Sequence, residues 1–289
     1  MKILKDWEAI AEVDMGSKQK AYLCENEQGE QKVLWWPDTL DYKVKDRFRK
    51  KIERIKGLSN PHIATVYDII HDEETHKDIA FAEYCPGEPI FLASAMLTLV
   101  QKLRLLIHTM RGLEFMHENK LLHLNIKSDN VYAELVSLYA KVINWGAALP
   151  MEATKELAGK VVGTPAYIAP EIALGPIENI DCRADLFSWA VLAYQVLSGF
   201  FPFPDRIGTM GDANKLREII GKEKPPQSIN SVPDNLSGLV CGLLKSRPEN
   251  RIYQNAKDII KILAKDWPEA AAKELHPSCD VLKTKLDLK

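Results

Sequence analysis

Near residue 86 the chain changes its period, and that change limits the folds open to it more than any other feature. Before it, short runs rich in β-branched and aromatic residues ("AYLCEN", "QKVLWW", "ATVYDII", "DIAFAEY") are set off by turn residues such as "EQG". This is the pattern of strands joined by tight connections. One stretch breaks it. In "YKVKDRFRKKIERIKGL", Phe48, Ile52, Ile55 and Leu58 recur at helical spacing beneath a basic face, and Gly57 with "SNP" stops the run. Past "CPGEPI" the apolar residues take long helical periods, in "LTLVQKLRLLIHTMRGLEFMHEN", "DLFSWAVLAYQVLSG", "GDANKLREIIG", "LSGLVCGLLKS" and "NAKDIIKILAKDW". The expected class is α+β: a small N-terminal sheet with one helix over residues 1–85, a larger mostly helical lobe over 86–267, and a C-terminal tail over 268–289. A chain of 289 residues has enough material for two lobes sharing a cleft.

Charge and cysteine usage exclude several classes. The formal net charge of -2 gives no global argument for nucleic acid or an anionic membrane surface. The cysteines, Cys24, Cys85, Cys182, Cys241 and Cys279, are scattered and form no C-x-x-C pair, so neither a disulfide framework nor a zinc site is expected. A reduced, cytoplasmic setting follows. The opening "MKILKDWEAI" carries charges where a secretory signal needs an apolar run, and the longest apolar stretch, "LFSWAVLAYQVLSGFFPF", is broken by Ser, Gln, Gly and Pro. No membrane partner is expected.

Between the first two long helices lie "HLNIKSDN", "NWG" and "GTPAYIAPE", followed by "DLFSWA" and "RPENR". This succession resembles the eukaryotic-type serine/threonine protein kinase fold over about residues 5–265. The resemblance implies a two-lobed molecule with an antiparallel N-terminal sheet. It implies that Glu171 of "APE" pairs with Arg251, that Asp185 holds the loop around residue 125, and that Ile55, Val66, His123 and Trp145 stack into a column linking the lobes. All of these preserve shape.

The positions that the resemblance assigns to chemistry depart from the family's pattern. Phosphoryl transfer calls for a carboxylate to orient the acceptor hydroxyl, a second to hold the metal, and a Lys fixed by a Glu to grip phosphates. Asn125 stands at the first position and Asn144 at the second; a carboxamide accepts a hydrogen bond but takes up no proton at neutral pH. Counting forward from Gly29 places Trp35 at the Lys position, with Trp36 the alternative if the register slips by one. Lys51 falls where the partner Glu should be, and Glu53 lies about 200° around the helix from it. In the glycine-rich loop Gly16 survives while Asp14 and Gln19 replace the flanking glycines, which disfavours a phosphate cradle. Leu124 replaces the Arg that would receive a phosphorylated Thr154.

Other positions survive. Val33, Ala82, Glu83 and Cys85 are implied to line the nucleotide cleft, and Lys127 and Asn130 to reach a phosphate or metal, or else only to brace the loop that carries them. Asp129 points away from the cleft in this motif. Trp35 and Trp145 are expected to fill the vacated nucleotide space, with small Ala82 leaving room behind them. The basic face bearing Lys43, Lys45, Arg47, Arg49, Lys50 and Arg54 reads as solvated surface or, alternatively, as a face for an acidic protein. Cys85 reads as an inert thiol.

The expectation drawn from these losses is a non-enzyme. It would be a pseudokinase serving as scaffold or allosteric regulator for a protein partner such as an active kinase or its substrate, with no resident cofactor, no magnesium and at most weak ATP binding. Two other readings stay open. One is a nucleotide-binding switch that takes ATP weakly or without metal, through the backbone near Glu83–Cys85 and a cation such as Lys51 or Lys32. The other is an atypical active serine/threonine kinase in which Lys51 grips the phosphates and another carboxylate serves as base.

Overall fold

The computed structural model describes residues 2–4, 6–13, 19–175 and 180–272. Six strands form the N-terminal sheet: β1 (Lys2–Leu4), β2 (Trp7–Glu12), β3 (Gln19–Glu25), β4 (Gln31–Pro37) and, after the helix α1 (Tyr42–Ile55), β5 (Val66–Asp72) and β6 (Lys77–Glu83). Their order is β1-β2-β3-β4-β6-β5, antiparallel throughout. The two leading strands extend the sheet beyond the runs legible in the sequence.

Alternation along β4 sets the geometry of the cleft. Trp35 belongs to the principal core with Phe48, Ile52 and Ile55 of α1, whereas Leu34 and Trp36 face the opposite side with Cys24, Ile79 and Phe81. Successive strand residues point to opposite faces, so placing Trp36 outside commits Trp35 inside. Helix α1 starts where the Asp41 side chain accepts from Lys43 N at 2.8 Å. It ends before Gly57, whose φ of 76° suits a residue without a Cβ, so Leu58 lies beyond the helix. Burial of Phe48, Ile52 and Ile55 against the sheet contributes about 1.5–3 kcal/mol each.

The second lobe follows through β7 (Glu88–Pro89), α2 (Ile90–Ala93), α3 (Leu99–Glu118), β8 (Leu121–Leu122), β9 (Val131–Glu134), β10 (Tyr139–Val142) and β11 (Leu149–Pro150). Helices α4 (Pro170–Leu174), α5 (Cys182–Ser198), α6 (Ala213–Lys222), α7 (Asp234–Leu243), α8 (Ala256–Asp266) and α9 (Pro268–Ala271) complete it. A Thr98–Gln101 capping box starts α3. Helix α5 is apolar nearly all round and buried, as a central helix should be, and its Trp189 donates Nε1–H to the Leu106 carbonyl of α3 at 3.0 Å. Arg104 and Arg111 of α3 donate to the carbonyls of Glu269 and Ala271 at 3.2 and 2.8 Å, fixing α9. The tail past residue 272, with Cys279, lies outside the described residues. No helix among the described residues is long and apolar enough to cross a membrane.

Buried charge braces this lobe. Arg251 meets Glu171 in a two-point ion pair at 2.8 and 2.7 Å. Fully buried Asp185 accepts from the backbone N–H groups of His123 and Leu124 at 2.8 and 2.7 Å and contacts His117 Nε2 at 3.0 Å. Burial works to raise the Asp185 pKa, but the His117 hydrogen bond and the neighbouring histidines prevail and hold it below the usual carboxylate range. Leu124, so anchored, keeps a left-handed backbone with φ of 61°.

Candidate active site between the lobes

The two lobes enclose a cavity of about 100 Å³ lined by Val13, Val33, Trp35, Ala64, Ala82, Glu83, Tyr84, Cys85, Tyr132, Ile143, Asn144 and Trp145. Val33, Ala82, Glu83 and Cys85 thus meet in one cavity. So do both tryptophans: Trp35 packs edge-on against Phe48, and Trp145 donates Nε1–H to the Ala64 carbonyl at 2.9 Å. That bond crosses from one lobe to the other and fixes the indole plane. Ile55, Val66, His123 and Trp145 are all buried, and His123 Nε2 lies 3.1 Å from the Ile143 carbonyl, so burial keeps its imidazole neutral.

Glu83, at the crossover between lobes, makes contacts that no local pattern announces. Its carboxylate accepts from the Thr65 backbone N–H at 3.1 Å and pairs closely with Lys141 of β10. Burial, and then the adjacent Glu83 charge, push the Cys85 thiol up to about 12.

The carboxamides form one connected chain. Asn144, at φ of 64°, accepts from Gly146 N at 3.0 Å and donates to Asn130 Oδ1 at 3.1 Å. Asn130 in turn donates to the Asn125 carbonyl at 2.7 Å, and Asn125 Oδ1 accepts from the Thr164 hydroxyl at 3.0 Å. A carboxylate at residue 144 has no proton to give Asn130, so the amide suits this chain as an acid would not. Thr164, read in the sequence only as part of a motif, is thus the partner of the Asn125 side-chain oxygen.

A divalent magnesium ion fits this donor set poorly. It prefers charged oxygen ligands in octahedral array, whereas Asn130 and Asn144 offer neutral oxygens that already accept hydrogen bonds within the chain. Asp129 is turned outward and pairs with Lys127 at 2.9 Å, which takes both away from that position.

Lys51 extends from α1 into the same region and donates from Nζ to the Gly146 carbonyl. Burial pushes its ammonium down to about 8, with no carboxylate acting against it. Behind it a second cavity of about 450 Å³ is lined by further cations, Arg47, Lys50, Arg54 and Lys160, beside Glu156. Glu53 faces away and pairs with Lys56 at 2.8 Å. The alternative cation, Lys32, sits outside the cleft, bound to Glu30 at 2.9 Å and packed over the rings of Trp7 and Tyr67. Much of the basic face is paired internally, Lys50 with Asp46 and Arg49 with Asp78. Gln19 opens β3, with its Oε1 buried, while Asp14 and Gly16 of the glycine-rich loop lie outside the described residues.

Comparison with known proteins bears on this cleft. Residues 12–267 match the family described as Protein kinase domain. A probable serine/threonine-protein kinase of Clostridium perfringens is 30% identical over 226 residues, covering 76% of this chain and 31% of that protein. Serine/threonine-protein kinase PknB of Mycobacterium leprae is 27% identical over 236 residues, 78% of this chain and 37% of its own. Serine/threonine-protein kinase Pkn1 of Myxococcus xanthus is 26% identical over 258 residues, 85% of this chain and 36% of its own. The chain therefore spans about a third of the length of these relatives. They correct the expectation of a non-enzyme: proteins named as serine/threonine kinases match most of this chain at 26–30% identity. With the lobes, the Glu171–Arg251 pair and the Asp185 anchor in place, the chain belongs to the protein kinase domain family.

Proposed function

We propose that this chain is an atypical serine/threonine kinase, taking ATP into the cleft between its lobes and passing the γ-phosphoryl group to a hydroxyl with an altered set of residues. One observation carries the reading: the Lys51 ammonium reaches from α1 to the Gly146 carbonyl, two residues past Asn144 of the cleft wall, where it would supply from the helix the positive charge that Trp35 cannot supply from the sheet.

Phosphoryl transfer passes through a loose transition state, so its catalysis is mostly positioning and neutralisation of charge. Lys51 provides the neutralisation. Asn125 would provide the positioning: its Oδ1, which accepts from the chain's own Thr164 hydroxyl at 3.0 Å, has a second lone pair to offer an acceptor hydroxyl. It takes up no proton, so the contribution of a general base, about 10²–10⁴-fold, is forgone and turnover is slow. Trp35 and Trp145 narrow the cavity, so nucleotide must displace packed aromatic surface and binds weakly.

Transfer from γ-labelled ATP to serine- and threonine-containing peptides, with purified full chain, tests this. Slow product formation that persists when magnesium is chelated and falls at least tenfold in Lys51→Met is the expected result. No labelled product from protein shown to bind ATP overturns it.

The closed carboxamide chain favours a second reading, a switch that binds ATP without turning it over. Thermal-shift titration separates the two: stabilisation by ATP that is indifferent to magnesium, without labelled product, supports the switch.

A further inference from the structure

Away from the cleft, the hairpin joining β5 to β6 gathers three potential metal ligands. His71 ends the strand's exposed face, Glu73 follows it by two residues, and His76 closes the turn; one donor atom from each lies within 4.8 Å of the others. His76 has a left-handed backbone, φ of 52°, and Asp72 accepts from Thr75 N at 3.0 Å, so the turn that brings the ligands together is held by its own bonds.

Two exposed histidines and a glutamate would mean little alone. The second observation is what stands behind them. His71 Nδ1 lies 2.8 Å from the Asp78 carboxylate directly across the strand pair, and Asp78 is 7% exposed. Arg49 of α1 fixes that carboxylate through two contacts of 2.6 and 3.2 Å. A carboxylate on Nδ1 accepts a hydrogen bond from the proton on that nitrogen and turns the Nε2 lone pair outward, the tautomer and orientation that a metal-binding imidazole requires.

We infer that His71, Glu73 and His76 form a binding site for a divalent transition-metal ion of the zinc type, with Asp78 as the carboxylate that orients His71. Imidazole and carboxylate donors suit zinc, whose bonds of about 2.0–2.2 Å bring its ligands somewhat closer together than they stand in the free hairpin. The exposed side chains of Glu73 and His76 have the freedom to close that distance. Three protein ligands leave the fourth position to water.

Zinc chloride titrated into the full chain by calorimetry tests the inference, with His76→Asn chosen because asparagine tolerates the left-handed backbone. Wild type should take up one equivalent that the variant binds at least tenfold more weakly. Asp78→Asn should weaken binding by 10–100-fold while a circular-dichroism spectrum reports whether the lobe stays folded. Nitrogen NMR of the His71 ring gives an independent reading: zinc should shift Nε2 and leave Nδ1 protonated. Absence of saturable binding, an unchanged equivalent in His76→Asn, or zinc on Nδ1 of His71 overturns the site.

Discussion

The floor of the helical lobe and the mouth of the cleft treat charge in opposite ways. Beneath α5 the chain keeps ionised side chains fully buried, Glu171 against Arg251 and Asp185 against backbone N–H groups. In the cleft, where the family's chemistry calls for carboxylates, it has Asn125 and Asn144, tied to one another through Asn130. Both networks are nearly saturated with hydrogen bonds. The difference teaches that the residues holding the fold and those lining the cleft are separate sets: the first keeps its buried charge paired, while the second has exchanged charge for neutral carboxamides.

The sharpest way to break this contrast is Glu171→Ala. It strands a buried guanidinium and should cost about 3–5 kcal/mol, read from urea unfolding. A loss no larger than that of a surface substitution would mean the framework is not what holds the lobe. Lys51 offers the next test. Its folded pKa of about 8 lies below the ordinary 10.5, so the unfolded chain binds more protons between these values and stability rises as pH increases through that window. Below about pH 8 both states are protonated and the full cost of the buried cation is present. Unfolding of wild type and Lys51→Met compared from pH 7 to 10.5 should show a rise in the former that is missing in the latter, while ATP affinity of wild type declines over the same range.

On the chemical side, Asn125→Asp restores a proton acceptor and should raise peptide phosphorylation about 10²-fold, equivalent to about 2.7 kcal/mol of barrier, with little change in unfolding midpoint. Equal rates would show that proton removal never limited turnover. The smallest effect belongs to Trp145→Phe, which removes the bond to Ala64 and should cost about 1 kcal/mol in thermal unfolding.

Much of this was legible beforehand because it rests on local pattern. The spacing of Phe48, Ile52 and Ile55 gave α1, the apolar run around Trp189 gave α5, and the ordered motifs placed Glu171, Arg251 and Asp185. The register of β4 left Trp35 and Trp36 open until the sheet assigned each a face. What escaped was contact between residues far apart in the chain. No periodicity links Glu83 to Lys141, Asn125 to Thr164 or Arg49 to Asp78, since these meetings depend on how finished elements pack. Lys32 and Lys51 were equivalent candidates as cations, and only the fold sends one outward to Trp7 and Tyr67 and the other inward to Gly146.

The meeting of Glu83 with Lys141 has a mechanical consequence. One ion pair ties the last residue of a strand in the upper sheet to a strand of the lower lobe, beside the crossover that joins the halves. Any swing wide enough to admit a bulky molecule must stretch that fastening, so neutralising either end should loosen the crossover and let the halves gape before either of them melts.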